Sequence, residues 1–244
     1  MAKLQDLRDI LPPVLAERLE PHVRLVKLRA GQMIIGHQDH TSDVFIVLEG
    51  TLRVELVSLG GREVILADIG PGELFGEYSA VDEQPRSANV SAIGACVLAC
   101  VPGHLFRAAA LASPETAEWL ARLLVQRIRL LTERNFELNA LAVRSRLHCE
   151  LLRLCIDAGI ADNRAAIAPA PTHAQFAARI GTHREAVTRE LLYLNKSGVL
   201  EQKGRELTVG DVARLTAIVR AASGDVGVIQ RAVGKAPTDG GCVT

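Results

Sequence analysis

Aromatic side chains are scarce in this sequence, with one Trp, two Tyr and five Phe in 244 residues. Any sizeable core must therefore be built from Leu, Val, Ile and Ala. Cysteine is sparse as well, and unpatterned. Cys96, Cys100, Cys149, Cys155 and Cys242 form no C-x-x-C pair. An odd count in a chain without a secretory signal argues against a disulfide framework, and the spacing argues against a zinc or iron–sulfur site. Reduced, mostly buried thiols are expected. No apolar run reaches the ~18 residues that a membrane helix needs, and MAKLQDLRDILPP at the start has no apolar stretch followed by a cleavage site. The expected location is the cytoplasm, with no membrane partner.

Net charge is missing too, because 28 Lys and Arg balance 28 Asp and Glu. The balance hides an asymmetry. Residues 1–143 carry 14 basic against 18 acidic side chains, whereas residues 144–222 carry 12 against 8. A basic C-terminal third suits a bipartite protein whose second part meets a polyanion. The length allows one large domain or two modest ones with ample core.

Residues 1–20 read as short helical pieces interrupted by Pro12 and Pro13. From about 23 to 106 the texture is β. In TLRVEL, Leu52, Val54 and Leu56 alternate with polar neighbours, the mark of a half-buried strand, and Gly60-Gly61 reads as a hairpin turn. Short strands at this spacing suggest a barrel or double-sheet roll. Ser113 followed by Pro114 is a helix start, and nothing breaks the pattern to about Val143. Leu120, Leu124, Leu131, Leu138 and Leu141 recur in a heptad-like stripe, with Arg127 and Arg134 at skipped positions. Pairing with a second copy along this helix is expected; the other reading is a helix packed wholly on its own domain. The domains expected are 1–112, a β-roll with N-terminal helices; 113–143, the pairing helix; and 144–222, a second α/β part. Residues 223–244, rich in Gly and small side chains, read as a flexible tail, and GIADNRAAIAPAPT reads as a loop.

In the C-terminal part Thr172 can cap a helix to about Ile180, Gly181 supplies a tight turn, and Thr182 or His183 caps a second helix to about Asn195. Val187, Leu191 and Leu194 form its inward stripe, while Arg184, Glu185, Thr188 and Arg189 share an outward arc of about 140°. This is the helix-turn-helix spacing, with reading residues at the N-terminus of the second helix. Arginine can contact guanine bidentately and a carboxylate can accept from cytosine. GVLEQKGRELTV follows as a two-stranded wing whose tip carries Lys203 and Arg205, suited to phosphates. A solvated helix with a Glu185–Arg189 i,i+4 pair is the plainer alternative.

Residues 71–90, PGELFGEYSAVDEQPRSANV, set an acid beside an Arg-Ser pair. Arg86 offers a fork of donors and Ser87-Ala88 backbone N–H groups, which a phosphate needs. Glu77 can accept from a sugar hydroxyl, and Gly76 lets the backbone approach. Spacing alone favours a surface acid and base with no ligand.

GELFGEYSAVDEQPRSANV is similar to the phosphate-binding cassette of cyclic-nucleotide-binding domains, and THREAVTRELLYLNKSGVL resembles the recognition helix of the Crp–Fnr regulators, in particular those of the cyclic-AMP receptor type. With the long helix, the resemblance spans about residues 20–222. It implies an α+β bacterial transcription regulator: an N-terminal cyclic-nucleotide-binding β-roll, a long dimerisation helix and a C-terminal winged helix-turn-helix. It implies that Glu77 holds the ribose 2′-OH, that Arg86, Ser87 and the Ala88 N–H bind the cyclic phosphate, and that Val54 and Ile69 flank the purine. Arg127 and Thr132 on the long helix complete the implied pocket. Where the cyclic-AMP receptor type has threonine beside that last position, this chain has Leu131, which leaves cyclic AMP and cyclic GMP both as ligands. The implied DNA contacts are Thr172, Thr182, His183, Arg184, Glu185, Thr188 and Arg189, with Lys203 and Arg205 of the wing, on a TGTGA-like palindrome. A homodimer, double-stranded DNA and RNA polymerase are the implied partners. The oxygen sensors' N-terminal cysteine cluster is absent, and no nucleophile–base pair suggests an enzyme. His37, Asp39 and His40 lack a fourth ligand and read as a turn, so no metal is expected. The rivals are a different effector or none, and a nucleotide-binding protein acting through protein contacts.

Overall fold

The two prolines divide the first helical segment into α1 (Asp6–Ile10) and α2 (Pro13–Leu19). The structure, a computed structural model, describes residues 6–224 and 226–234. The chain forms two units, 1–128 and 129–244.

The first unit holds eight strands: β1 (Arg24–Leu28), β2 (Met33–Ile35), β3 (Val44–Glu49), β4 (Leu52–Val57), β5 (Glu63–Ile69), β6 (Leu74–Phe75), β7 (Asn89–Ala92) and β8 (Cys96–Val101). Between β6 and β7 lies α3 (Glu77–Asp82). The strands pair antiparallel in two sheets, ordered β1-β8-β3-β6 and β2-β7-β4-β5. The run VFIV of β3 is apolar throughout because both its faces are covered. Phe45 and Val47 enter the inner core with Leu52, Val90 and Leu98, while Val44 and Ile46 enter an outer core with Leu11, Leu15 and Phe106. Phe45 stacks on Phe75 with ring centroids 5.1 Å apart, so two of the few aromatics close the inner layer.

After β8 come α4 (Gly103–Ala110) and α5 (Pro114–Ala140). Ser113 Oγ accepts from the Thr116 N–H at 3.3 Å, the cap that its sequence suggests. Helix α5 runs across the division between the units. Its first half is held by apolar burial, with Leu120 buried in the outer core and Trp119, Leu123 and Leu124 packed against it.

The second unit continues with α6 (Val143–Ala158), β9 (Ala165–Ile167), α7 (His173–Ile180), α8 (Arg184–Lys196), β10 (Leu200–Lys203), β11 (Glu206–Val209), α9 (Val212–Ser223) and α10 (Gly227–Gly234). Two expectations are corrected. The Ala- and Pro-rich loop contains β9, the third strand of a sheet ordered β10-β11-β9. The flexible tail expected from 223 onward includes α10, because Val228, Ile229 and Ala232 are buried in the core shared with α6 and α9. Residues 235–244, with Cys242, lie outside the described residues. The other four thiols are buried and unpaired. Burial pushes Cys100 up to about 11 and both Cys149 and Cys155 up to about 12, which keeps them protonated. Among the described residues no helix is long and apolar enough to cross a membrane.

Candidate functional site

Strand β6 ends at Phe75, and Gly76 turns the chain into α3 at φ +84°. That left-handed conformation favours glycine. A Cβ there would also lie 2.7 Å from Asp43 O and 2.8 Å from Arg86 Nη1. The turn sets Glu77 at the start of α3 with only 2% of its surface exposed. Arg127 of α5 reaches it, Nε lying 2.9 Å from Glu77 Oε1, and Arg127 Nη2 donates to Leu74 O. The contact is one of charge alone, because neither Glu77 Oε1 nor Arg127 Nε has a hydrogen-bond partner although both are buried. Burial pushes the Glu77 carboxyl up from its ordinary value, and Arg127 opposes that shift. Beside them the Tyr78 hydroxyl is pushed up by burial and by Glu77.

Arg86 is 2% exposed, and its donors are largely engaged within the protein. Nε donates to Thr41 Oγ1 (3.0 Å), Nη1 to Gly76 O (2.9 Å) and Nη2 to Asp43 O (2.7 Å). This differs from a phosphate arm presented on a loop; the cause is that the cassette is stapled to residues 36–43. The Arg86 N–H donates to Asp39 O and the Gln38 N–H to Arg86 O, each at 2.9 Å. Within the H-Q-D-H stretch, Asp39 Oδ2 accepts from the Gly36 N–H at 3.0 Å, a turn-forming bond. Among the described residues no group of His, Cys, Asp or Glu is placed to hold a metal ion.

Ser87 is exposed and Ala88 buried. Ile69 lies in the inner core of the roll, with Val54 packed against it. Thr132 and Leu131 belong to the second unit, Leu131 exposed on α5. A cavity of about 380 Å³ lies against α3 and α4, with Ser79, His104 and the Glu83–Arg107 pair among its lining. Sequence reasoning missed Thr41, Asp43 and Tyr78. The first two are remote in the chain from Arg86, whereas Tyr78 was signalled only by its place next to Glu77.

In the second unit Thr172 caps α7 through a reciprocal pair: its Oγ1 accepts from the Gln175 N–H at 3.2 Å, and Gln175 Oε1 accepts from the Thr172 N–H at 2.8 Å. Gly181 ends α7 at φ +64°, and the residue preceding α8 is His183, whose side chain makes no capping bond. Thr182 is half-buried in the turn. Thr188 Oγ1 donates its single proton to Arg184 O at 2.9 Å. It must therefore accept from His173 Nδ1, 2.8 Å away, which fixes the proton on that nitrogen. This bond joins α7 to α8. On the other side of α8, His148 Nε2 of α6 donates to Glu190 Oε1 at 2.8 Å, and burial lowers the His148 pKa.

With its inner face pinned, α8 leaves Arg184, Glu185 and Arg189 outside the core, and no ion pair joins Glu185 to Arg189 among the described residues. The solvated i,i+4 pair is thus not formed. The wing strands β10 and β11 meet at Gly204-Arg205, with Lys203 3.0 Å from Glu201 and both exposed. Such a pair contributes little and yields readily to another anion. His173 was absent from the expected contact set; its place at the first position of a capped helix was the available signal.

A β-roll with an arginine cassette, followed by a winged helix-turn-helix, is the architecture of a cyclic-nucleotide-binding transcription regulator. Residues 25–112 match the model of the cyclic nucleotide-binding domain, and residues 145–218 that of the Crp-like helix-turn-helix domain. The chain is 34% identical over 193 residues to the cyclic AMP receptor protein of Thermus thermophilus, covering 77% of this chain and 84% of that protein. The chain belongs to the Crp–Fnr family of transcriptional regulators. The structure of FixK2 from Bradyrhizobium japonicum has the same fold, with a TM-score of 0.71, 20% identity and coverage of 80% and 96% of the two chains. So does the c-di-GMP responsive global regulator CLP of Xanthomonas campestris, with a TM-score of 0.66, 21% identity and coverage of 80% and 97%.

Proposed function

We propose that this regulator is switched by a cyclic nucleotide, cyclic AMP or cyclic GMP, and binds a TGTGA-like palindrome as a homodimer in the cytoplasm, where it meets RNA polymerase. The observation that carries the ligand reading is Glu77 Oε1, a buried carboxylate oxygen without a hydrogen-bond donor. A hydroxyl of a ribose supplies that donor. Arg86 with Ser87 and the Ala88 N–H would hold the phosphate, Val54 and Ile69 would flank the purine, and Arg127 and Thr132 would approach from α5. Arg86 has five N–H groups and uses three of its nitrogens on the protein, so a phosphate can share it without dismantling the cassette.

The ligand need only favour the DNA-competent arrangement, and its effect is limited to its differential affinity for the two states. Arg127 supports a route for that effect, since it sits on α5 and contacts Glu77. The α8 residues Arg184, Glu185 and Arg189 would read base edges, supported by Thr172, Thr182, His183 and Thr188, with Lys203 and Arg205 on phosphates. Calorimetric titration with each cyclic nucleotide tests the ligand, and no heat from either would reject it. A second reading keeps the DNA binding and changes the effector. It is favoured by the degree to which Arg86 is engaged within the protein and by the c-di-GMP response of CLP. Titration with c-di-GMP in the same instrument separates the two.

The dimer reading rests on α5, where Val125, Ile128, Leu131 and Leu138 are 47%, 60%, 61% and 48% exposed in the single chain. A helix bearing such a stripe is suited to pairing with its own copy. Ile128→Lys is expected to convert the dimer to monomer in sedimentation velocity at micromolar protein. A dimer that persists in that variant would place the interface elsewhere.

A further inference from the structure

The second half of α5 is attached to its unit in a different way from the first. The core of the second unit takes no buried apolar side chain from residues 129–140, and Leu130, Leu131, Phe136 and Leu138 remain exposed. Charge holds this segment instead. Glu150 of α6, 1% exposed, meets three arginines from three helices: Arg134 of α5 at 2.8 Å, Arg153 of α6 at 3.2 Å and Arg179 of α7 at 3.2 Å. Burial disfavours its charge, but Arg134, Arg153 and Arg179 outweigh that and hold its carboxyl at about 2. Arg153 also donates to Glu137 of α5 at 2.7 Å, and Arg231 of α10 forks both oxygens of Glu133 at 3.0 and 3.1 Å.

Buried ion pairs of this kind stabilise a fold no more than well-packed apolar side chains would, and what they add is a fixed, directional geometry. An apolar seam tolerates sliding; a carboxylate gripped by three guanidiniums does not. The grip continues from α7 to the reading helix through His173 and Thr188.

We propose that Glu150 is the positioning residue of this regulator, the joint through which α5 sets the placement of the helix-turn-helix. Its two oxygens carry the connection from Arg134 on α5 to Arg179 on α7, and the His173–Thr188 bond carries it to α8. The neutral amide of Glu150→Gln keeps the shape, cannot satisfy three cations, and uncouples α7 from α5. The inference rests on nucleotide control of DNA binding, and its test keeps the two apart.

The experiment compares full-length wild type, Glu150→Gln, Glu150→Asp and Arg134→Gln. DNA affinity is measured by fluorescence anisotropy on a TGTGA palindrome with and without cyclic AMP and cyclic GMP. Amide exchange is followed by mass spectrometry on the same samples. In Glu150→Gln the factor by which nucleotide changes DNA affinity is expected to fall about tenfold, with nucleotide affinity in the absence of DNA unchanged. Exchange is expected to rise together in 129–140 and 173–180, and not in 200–223. Glu150→Asp, which keeps the charge, restores most of the coupling. Arg134→Gln cuts only the α5 side of the joint, at a residue already 29% exposed, and reproduces the loss even where Glu150→Gln fails to fold. Coupling retained in Arg134→Gln, or exchange rising evenly across 143–223, would overturn the proposal. A wild type whose DNA affinity ignores every nucleotide rejects the ligand reading, while the exchange pattern still decides the joint.

Discussion

In calorimetry Arg86→Leu gives no heat with either cyclic nucleotide at concentrations that saturate the wild type. The expected loss is at least 100-fold, the scale of one charged partner removed from a desolvated phosphate, about 3 kcal/mol or more. The roll itself also suffers. Arg86 donates to Thr41 Oγ1, Gly76 O and Asp43 O from a site 2% exposed, and leucine leaves all three without that donor. Each such bond to a charged group is worth about 1.5–3 kcal/mol, so the melting temperature of the first unit should fall as well. Arg86→Lys separates the effects. A lysine keeps the charge but not the fork, and retains weak binding with a similar loss of stability. An Arg86→Leu protein that is folded by circular dichroism and still binds within tenfold of wild type would remove Arg86 from the ligand site.

Arg184→Ala is expected to erase preference for the palindrome. One bidentate arginine–guanine contact discriminates by about 1–3 kcal/mol, and in a two-fold complex every substitution counts twice. The specific affinity then drops by about 2–6 kcal/mol, roughly 30-fold to more than 10⁴-fold, while binding to scrambled DNA barely changes. Arg184 is exposed, so its truncation weakens recognition and leaves the fold intact. Lys203→Ala is the matched control. Removing a phosphate-binding ammonium from the wing weakens both DNAs alike and lowers the salt slope by about one per protomer. Anisotropy on specific and scrambled duplexes between about 50 and 200 mM salt, a span over which phosphate-bound complexes weaken by roughly 10³–10⁵, distinguishes the two patterns. Equal discrimination by Arg184→Ala and wild type would move the reading surface away from the start of α8.

What the sequence showed well was local. Ser113 before Pro114, Thr172 three residues before Gln175, and Gly181 after Ile180 are features whose physics acts within one helical turn; α5 begins at the first, and α7 begins and ends at the other two. The alternation in β4 was readable for the same reason. The candidate cassette was legible as residue types, but not as an arrangement. Arg86 meets Thr41 and Asp43 from more than 40 positions away, and no spacing rule joins them. Helix α10 was hidden because its helicity comes from burying Val228 and Ile229 against α6, which overrides the weak propensity of its glycine-flanked sequence. The Glu150 cluster draws on several helices, and a charged residue on an amphipathic stretch gives no sign that it will be buried.

The mixed attachment of α5 has a practical reading for how this protein can be taken apart. Fragments trimmed to the matched segments, 25–112 and 145–218, would both discard the helix. The first would lose Leu120 from its outer core, together with Leu11, Leu15 and Leu19 of the N-terminal segment. The second would keep Glu150 without Arg134, and Arg153 without Glu137. Each piece would then be soluble only at reduced stability, for opposite reasons: one through exposed hydrocarbon, the other through stranded charge. Division at 128/129 leaves Leu120 with the first unit and keeps Arg134 and Glu137 with Glu150 and Arg153.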